Sequence, residues 1–186
     1  MKYKTSIIIK EAPQIKSFIE KYKRRPKTCT IGNTTLSPYG AAYLLSKVVQ
    51  DKFQSNEVNL ANVIVYDGDV KFSDTINEKI MKDDYLKMIN NFIKFCIANR
   101  RVPRYITTQK SKTKVSFELY LYCLAKIVNF YKENKTLPNY CTFNKTILAN
   151  TKTSTSTSKK SNTQSTSTST NTNIYVSSPH PTKQGC

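Results

Sequence analysis

Apolar residues recur at three- and four-residue spacing through much of this chain. In residues 115–143, Phe117, Leu121, Leu124, Ile127, Val128 and Tyr131 form one stripe, the period of a helix with a single buried face. Ser116 stands before it as an N-cap, its side-chain oxygen able to accept from an early helical amide. Pro138 has no amide hydrogen and turns the residue before it away from helical geometry, so the helix is expected to end near Asn134. Tyr140-Cys141-Thr142-Phe143 then reads as a short strand.

The same reading extends upstream. Residues 1–12 form a basic lead, followed by a helix from Pro13 to about Arg24 with Ile15, Phe18, Ile19 and Tyr22 on one face. Residues 28–35 predict a hairpin turning at Gly32-Asn33. Ser37-Pro38 opens a second helix ending near Lys52, with proline at the first helical position, where its missing amide costs least. Within a spacer at 53–81, residues 62–66 are strand-like and Asp67-Gly68 marks a turn into 70–72. Asp83 or Asp84 caps the next helix, which runs to about Asn99 and buries Tyr85, Met88, Ile89, Phe92, Ile93 and Cys96.

Aligning on Pro26, Pro103 and Pro138 exposes an internal repeat. Eight residues earlier stand Phe18, Phe95 and Phe130; three earlier stand Lys23, Arg100 and Lys135; four later stand Thr30, Thr107 and Thr142. The closing halves agree too, Leu36-Ser37-Pro38 matching Val115-Ser116-Phe117, with a loop at 109–114 two residues longer than its counterpart. Agreement at so many positions marks repeats, at about 13–50, 84–128 and 124–148. The expected fold is mainly α with small β-hairpins (α+β), helical repeats sharing one core, with three antiparallel-neighbour helices per pair of repeats.

Charge narrows the class of partner. Of 30 Lys and Arg, 26 lie in residues 1–150 together with all 12 acids, so that part carries +14. Such an excess favours an acidic partner: nucleic acid, an anionic surface or a polyanionic carbohydrate. Cys29, Cys96, Cys123, Cys141 and Cys186 form no CxxC pair and no even framework, and the first four read as small buried hydrophobes. With His180 the one histidine, a zinc site is not expected. No cofactor is implied. The run at Ser6-Ile7-Ile8-Ile9 is too short for a signal segment, and no stretch is long enough to span a membrane. From Thr151 to Asn173, 16 of 23 residues are Ser or Thr, so 151–186 reads as a disordered linker and tail.

The segment around Phe130, Asn134-Lys135-Thr136-Leu137-Pro138-Asn139-Tyr140 and Thr142, with Tyr43-Leu44-Leu45 and Tyr120-Leu121-Tyr122, resembles the pseudomurein-binding repeat, the wall-binding module of methanogenic archaea and their viruses. The match covers most of residues 13–148; Arg25-Pro26-Lys27-Thr28 departs from it. The resemblance implies non-catalytic binding of pseudomurein, with the protein at the cell wall or outside the cell after export or lysis. Family members are commonly followed by a cysteine peptidase domain with a Cys-His-Asp triad. This chain has no acid after Glu133, so an enzyme is not expected, and one alternative is a truncated endoisopeptidase lacking that domain. A second alternative, nucleic-acid binding, suits the charge but lacks a zinc finger, an RNP-like strand or an unbroken basic helix.

Exposed Lys and Arg pair with carboxylates, Arg in forked fashion, and tyrosine offers an apolar face to a sugar ring. Loops on a rigid scaffold are the usual home of binding groups. The candidate ligand-binding residues are therefore Arg24, Lys27, Arg101, Arg104, Tyr105, Lys135, Asn139 and Tyr140. The same prolines and tyrosines also have a purely structural use, ending the helix and filling the gap over Phe95 or Phe130.

Overall fold

A computed structural model describes residues 1–61 and 77–144; the expected hairpin at 62–72 and the Ser/Thr-rich tail lie outside them. The chain forms β1 (Lys2–Lys4), α1 (Thr5–Tyr22), β2 (Cys29–Ile31), β3 (Thr34–Leu36), α2 (Pro38–Gln50) and β4 (Glu57–Asn59). It continues with β5 (Asn77–Met81), α3 (Lys82–Asn99), β6 (Tyr105–Thr107), β7 (Lys114–Ser116), α4 (Phe117–Asn134) and β8 (Tyr140–Asn144). The architecture is α+β: among the described residues, four helices and four antiparallel two-stranded sheets, paired β1–β4, β2–β3, β5–β8 and β6–β7. One order of elements, strand–helix–hairpin–helix–strand, thus occurs twice, with its outer strands paired each time.

Two helices start where the sequence places them. Ser37 accepts from the Gly40 amide at 3.1 Å and Ser116 from the Leu119 amide at 3.2 Å, with Pro38 in the first turn of α2. The other two starts differ from expectation. Helix α1 begins at Thr5 and runs through Pro13, so residues 1–12 are a strand and two helical turns. Burial of Ile8, Ala12, Ile15 and Ile19 outweighs the roughly 3 kcal/mol that an interior proline costs. The start of α1 is also anchored: the Thr5 amide donates to Asn56 O at 2.8 Å and its hydroxyl to Ser55 O at 2.6 Å. Helix α3 begins at Lys82 rather than after a capping aspartate; its first amide donates to Asn139 O at 2.8 Å. Asp83 and Asp84 lie instead in the first turn, where a negative charge suits the helix dipole.

The helix ends share one device. Lys23, Arg100 and Lys135, each three residues before a proline, take left-handed φ of 56°, 51° and 58° and serve as the C-cap residues of α1, α3 and α4. The Lys23 amide returns to Ile19 O and the Lys135 amide to Tyr131 O, both at 2.8 Å. Such a residue reverses the chain and satisfies terminal carbonyls. Beyond it, Pro26 and Pro138 are buried.

Helix α1 packs chiefly against α4, and α2 against α3 and α4. At the centre Phe92 meets Tyr120 with ring centroids 4.7 Å apart. Tyr43, Tyr120 and Tyr122 are buried there. Cys29, Ile106 and Cys141 are buried in β2, β6 and β8. The cysteine reading needs one correction. Cys123 and Cys141 are joined by a disulfide, because β8 folds back across α4; Cys29 and Cys96 remain buried thiols.

Candidate binding surface

Two of the three proline bends come to one end of the molecule. Helices α1 and α4 run antiparallel, with Tyr122 Oη donating to Glu20 at 2.7 Å and, just past the end of α1, Arg25 ion-paired with Glu118 in the first turn of α4. The first bend therefore lies against the start of α4. The second bend reaches the same place through its hairpin, where Tyr105 pairs with Ser116, the N-cap of α4. The start of α2 is there as well, since the Tyr39 and Phe117 rings meet at 4.8 Å. Arg24, Lys27, Arg104 and Tyr105 thus gather around the starts of α2 and α4, with Arg101 just before them in the second bend.

Lys135, Asn139 and Tyr140 do not join this group. They follow the far end of α4, whose 18 residues separate its termini by about 27 Å. Lys135 and Asn139 are exposed. The Asn139 carbonyl accepts from Lys82, and the Pro138 carbonyl accepts from the Tyr85 hydroxyl at 2.6 Å. This third bend is consequently tied to the start of α3.

A cleft of about 470 Å³ opens at the first bend, lined by Arg24, Arg25, Pro26 and Lys27, by Ser37, Pro38 and Tyr39 at the start of α2, and by Glu118. Arg24 lies 5.1 Å from the Phe18 ring centroid and 5.8 Å from that of Tyr22, and donates to Arg25 O at 3.2 Å. Arg25 lies 5.6 Å from the Tyr39 ring while paired with Glu118. Lys27 is exposed. Arginine held over an aromatic face keeps its charge in a fixed place at modest cost. In the second bend Arg101 is likewise 5.1 Å from the Phe95 ring.

The strand tyrosines are engaged by lysine from the neighbouring strand. Lys114 Nζ lies 4.4 Å from the Tyr105 ring and Lys79 Nζ 3.7 Å from that of Tyr140. In each pair the lysine sits diagonally across a two-stranded ladder, two residues beyond the direct partner, within reach for a long side chain. Tyr105 is 37% exposed, and a sugar stacking on the covered face would have to displace an exposed lysine.

Sequence reasoning left out Arg25, Tyr39 and Glu118. The Arg24-Arg25-Pro26-Lys27 run points to the first. Nothing local points to Glu118, which meets Arg25 across 93 residues of chain.

Burial pushes the Cys29 and Cys96 thiols up to about 12, so both stay protonated at neutral pH and are poor nucleophiles. Among the described residues no group of three or more His, Cys, Asp or Glu is placed to hold a metal ion, and no helix is long and apolar enough to cross a membrane. No protein-family model matches the chain, and no curated protein matches it.

Proposed function

We propose that the chain is a non-catalytic module that binds an anionic wall glycopeptide, pseudomurein, through basic bends carried on helical repeats that share one core. The observation that carries the reading is the gathering of two bends, with Arg24, Arg25, Lys27 and Arg104, around the starts of α2 and α4. Uronic acid and glutamate carboxylates of such a polymer suit forked arginine recognition, and two adjacent bends on one rigid end raise affinity for a repeating ligand.

The repeat reading draws on position as well as order. Ile8, Ala12, Ile15 and Ile19 are buried in α1, and the residues 77 further on, Tyr85, Ile89, Phe92 and Cys96, are buried in α3. The spacing equals that from Pro26 to Pro103.

Co-sedimentation with purified pseudomurein sacculi, with bacterial murein as control, tests the function. Retention on the archaeal wall and not on murein supports it; protein left in the supernatant at low salt contradicts it. The same charges suit nucleic acid, so a gel shift with duplex DNA at physiological salt is run in parallel. A tight complex there, falling steeply with added salt, favours that alternative.

A further inference from the structure

The cleft at the first bend already holds a carboxylate, that of Glu118. We propose that it is a subsite for a carboxylate-bearing sugar, a hexuronate, whose carboxylate replaces that of Glu118 on Arg25. This rests on the binding reading above and names the group that one part of the surface recognises.

Size and charge agree with that ligand. A volume of about 470 Å³ falls in the range of small-molecule sites, roughly 300–1,000 Å³. Among the described residues its lining sets three cations, Arg24, Arg25 and Lys27, beside one acid, Glu118. The guanidinium fork matches a planar carboxylate, and Arg25 is paired with one already.

The internal pair is built to exchange. The Arg25 and Glu118 side chains are 37% and 28% exposed, and a partly exposed ion pair contributes little against solvent and salt. On release Glu118 keeps a favourable position in the first turn of α4, near the positive end of the helix dipole. Arg25 keeps its place over the Tyr39 ring, which itself rests on Phe117. Arg24, lying over Phe18 and Tyr22, and exposed Lys27 remain to meet the sugar hydroxyls.

The full chain, isotopically labelled, is titrated by NMR with glucuronate, glucose and glucose 6-phosphate. Glucuronate is expected to shift the amides of Arg24, Arg25, Lys27, Ser37 and Tyr39. Removing the internal competitor in Glu118→Gln should tighten glucuronate binding about two- to five-fold, the worth of an exposed pair. Arg25→Gln should abolish those shifts. Glucuronate binding that is unchanged or weaker in Glu118→Gln overturns the proposal, as does an equal gain for glucose 6-phosphate. Glu118→Ala, checked by thermal melting, repeats the test without an amide that could bond Arg25. Sacculus retention of the same variants separates the two ideas. Retention without any glucuronate binding overturns the subsite and leaves wall binding standing. Glucuronate binding without retention supports the subsite and counts against the wall.

Discussion

Ser46 Oγ and Tyr120 Oη lie 3.0 Å apart in the buried interior, joining α2 to α4 across 74 residues of sequence. Burial raises the Tyr120 phenol well above its usual range, with the Ser46 hydrogen bond opposing. The ring is therefore neutral and available as donor or acceptor. Removing one partner leaves the other unsatisfied where no solvent reaches it. Tyr120→Phe is expected to cost about 1–3 kcal/mol. In urea denaturation, Ser46→Ala with Tyr120→Phe should cost clearly less than the two single losses added together.

The left-handed caps at Lys23, Arg100 and Lys135 give a prediction of opposite sign. A side chain in that region bears a local penalty of about 1–2 kcal/mol that glycine avoids. Lys23→Gly, Arg100→Gly and Lys135→Gly should each stabilise the fold by about 0.5–1 kcal/mol, less than the full penalty because glycine also frees the unfolded chain. Thermal melting checks this. Destabilisation at any of the three would mean that its charge or side-chain packing outweighs the backbone.

Alkali should loosen the fold. The Cys29 and Cys96 thiols rise from about 9 to about 12 on burial, so above pH 9 the unfolded chain releases protons that the folded one retains. Their contribution is whole below pH 9 and is lost as pH climbs toward 12. Melting temperature should fall from pH 9 to 10. In the Cys29→Ala/Cys96→Ala double variant the starting value should be lower and the slope shallower.

What the sequence showed and concealed follows from the range of each interaction. The serine caps of α2 and α4, the Gly32-Asn33 turn (Gly32 at φ 62°) and the end of α4 depend on neighbours a few residues apart. Each was readable. The start of α1 depends on Ser55 and Asn56, some fifty residues away, so Pro13 looked like a beginning when it is interior. The β1–β4 and β5–β8 pairings are equally remote, and strands as short as Lys2–Lys4 carry no alternation to announce them. The basic residue before each proline bend was visible as a regularity, but its backbone reason was not. Lys135 accordingly entered the binding set on charge, while the structure gives it a turn to make. Likewise the eight candidate residues read as one class; only the antiparallel packing of α1 on α4 divides them between two ends.

That division is itself a prediction. Arg24→Gln/Lys27→Gln should weaken retention on wall sacculi several-fold, whereas Lys135→Gln/Tyr140→Phe at the other end should change it little. Equal losses from both would assign the polymer a path along the whole length of α4, about 27 Å, rather than a seat at one end.

The central claim is that the cationic end around the starts of α2 and α4 holds the wall polymer, and one binding isotherm tests it directly. The full chain and its Arg24→Gln/Arg25→Gln/Lys27→Gln variant, matched for melting behaviour, are titrated onto purified pseudomurein sacculi at physiological salt. The account predicts saturable binding by the native chain and at least a ten-fold weaker isotherm for the variant, about 1.4 kcal/mol. Superimposable isotherms, or no binding by the native chain, would contradict it.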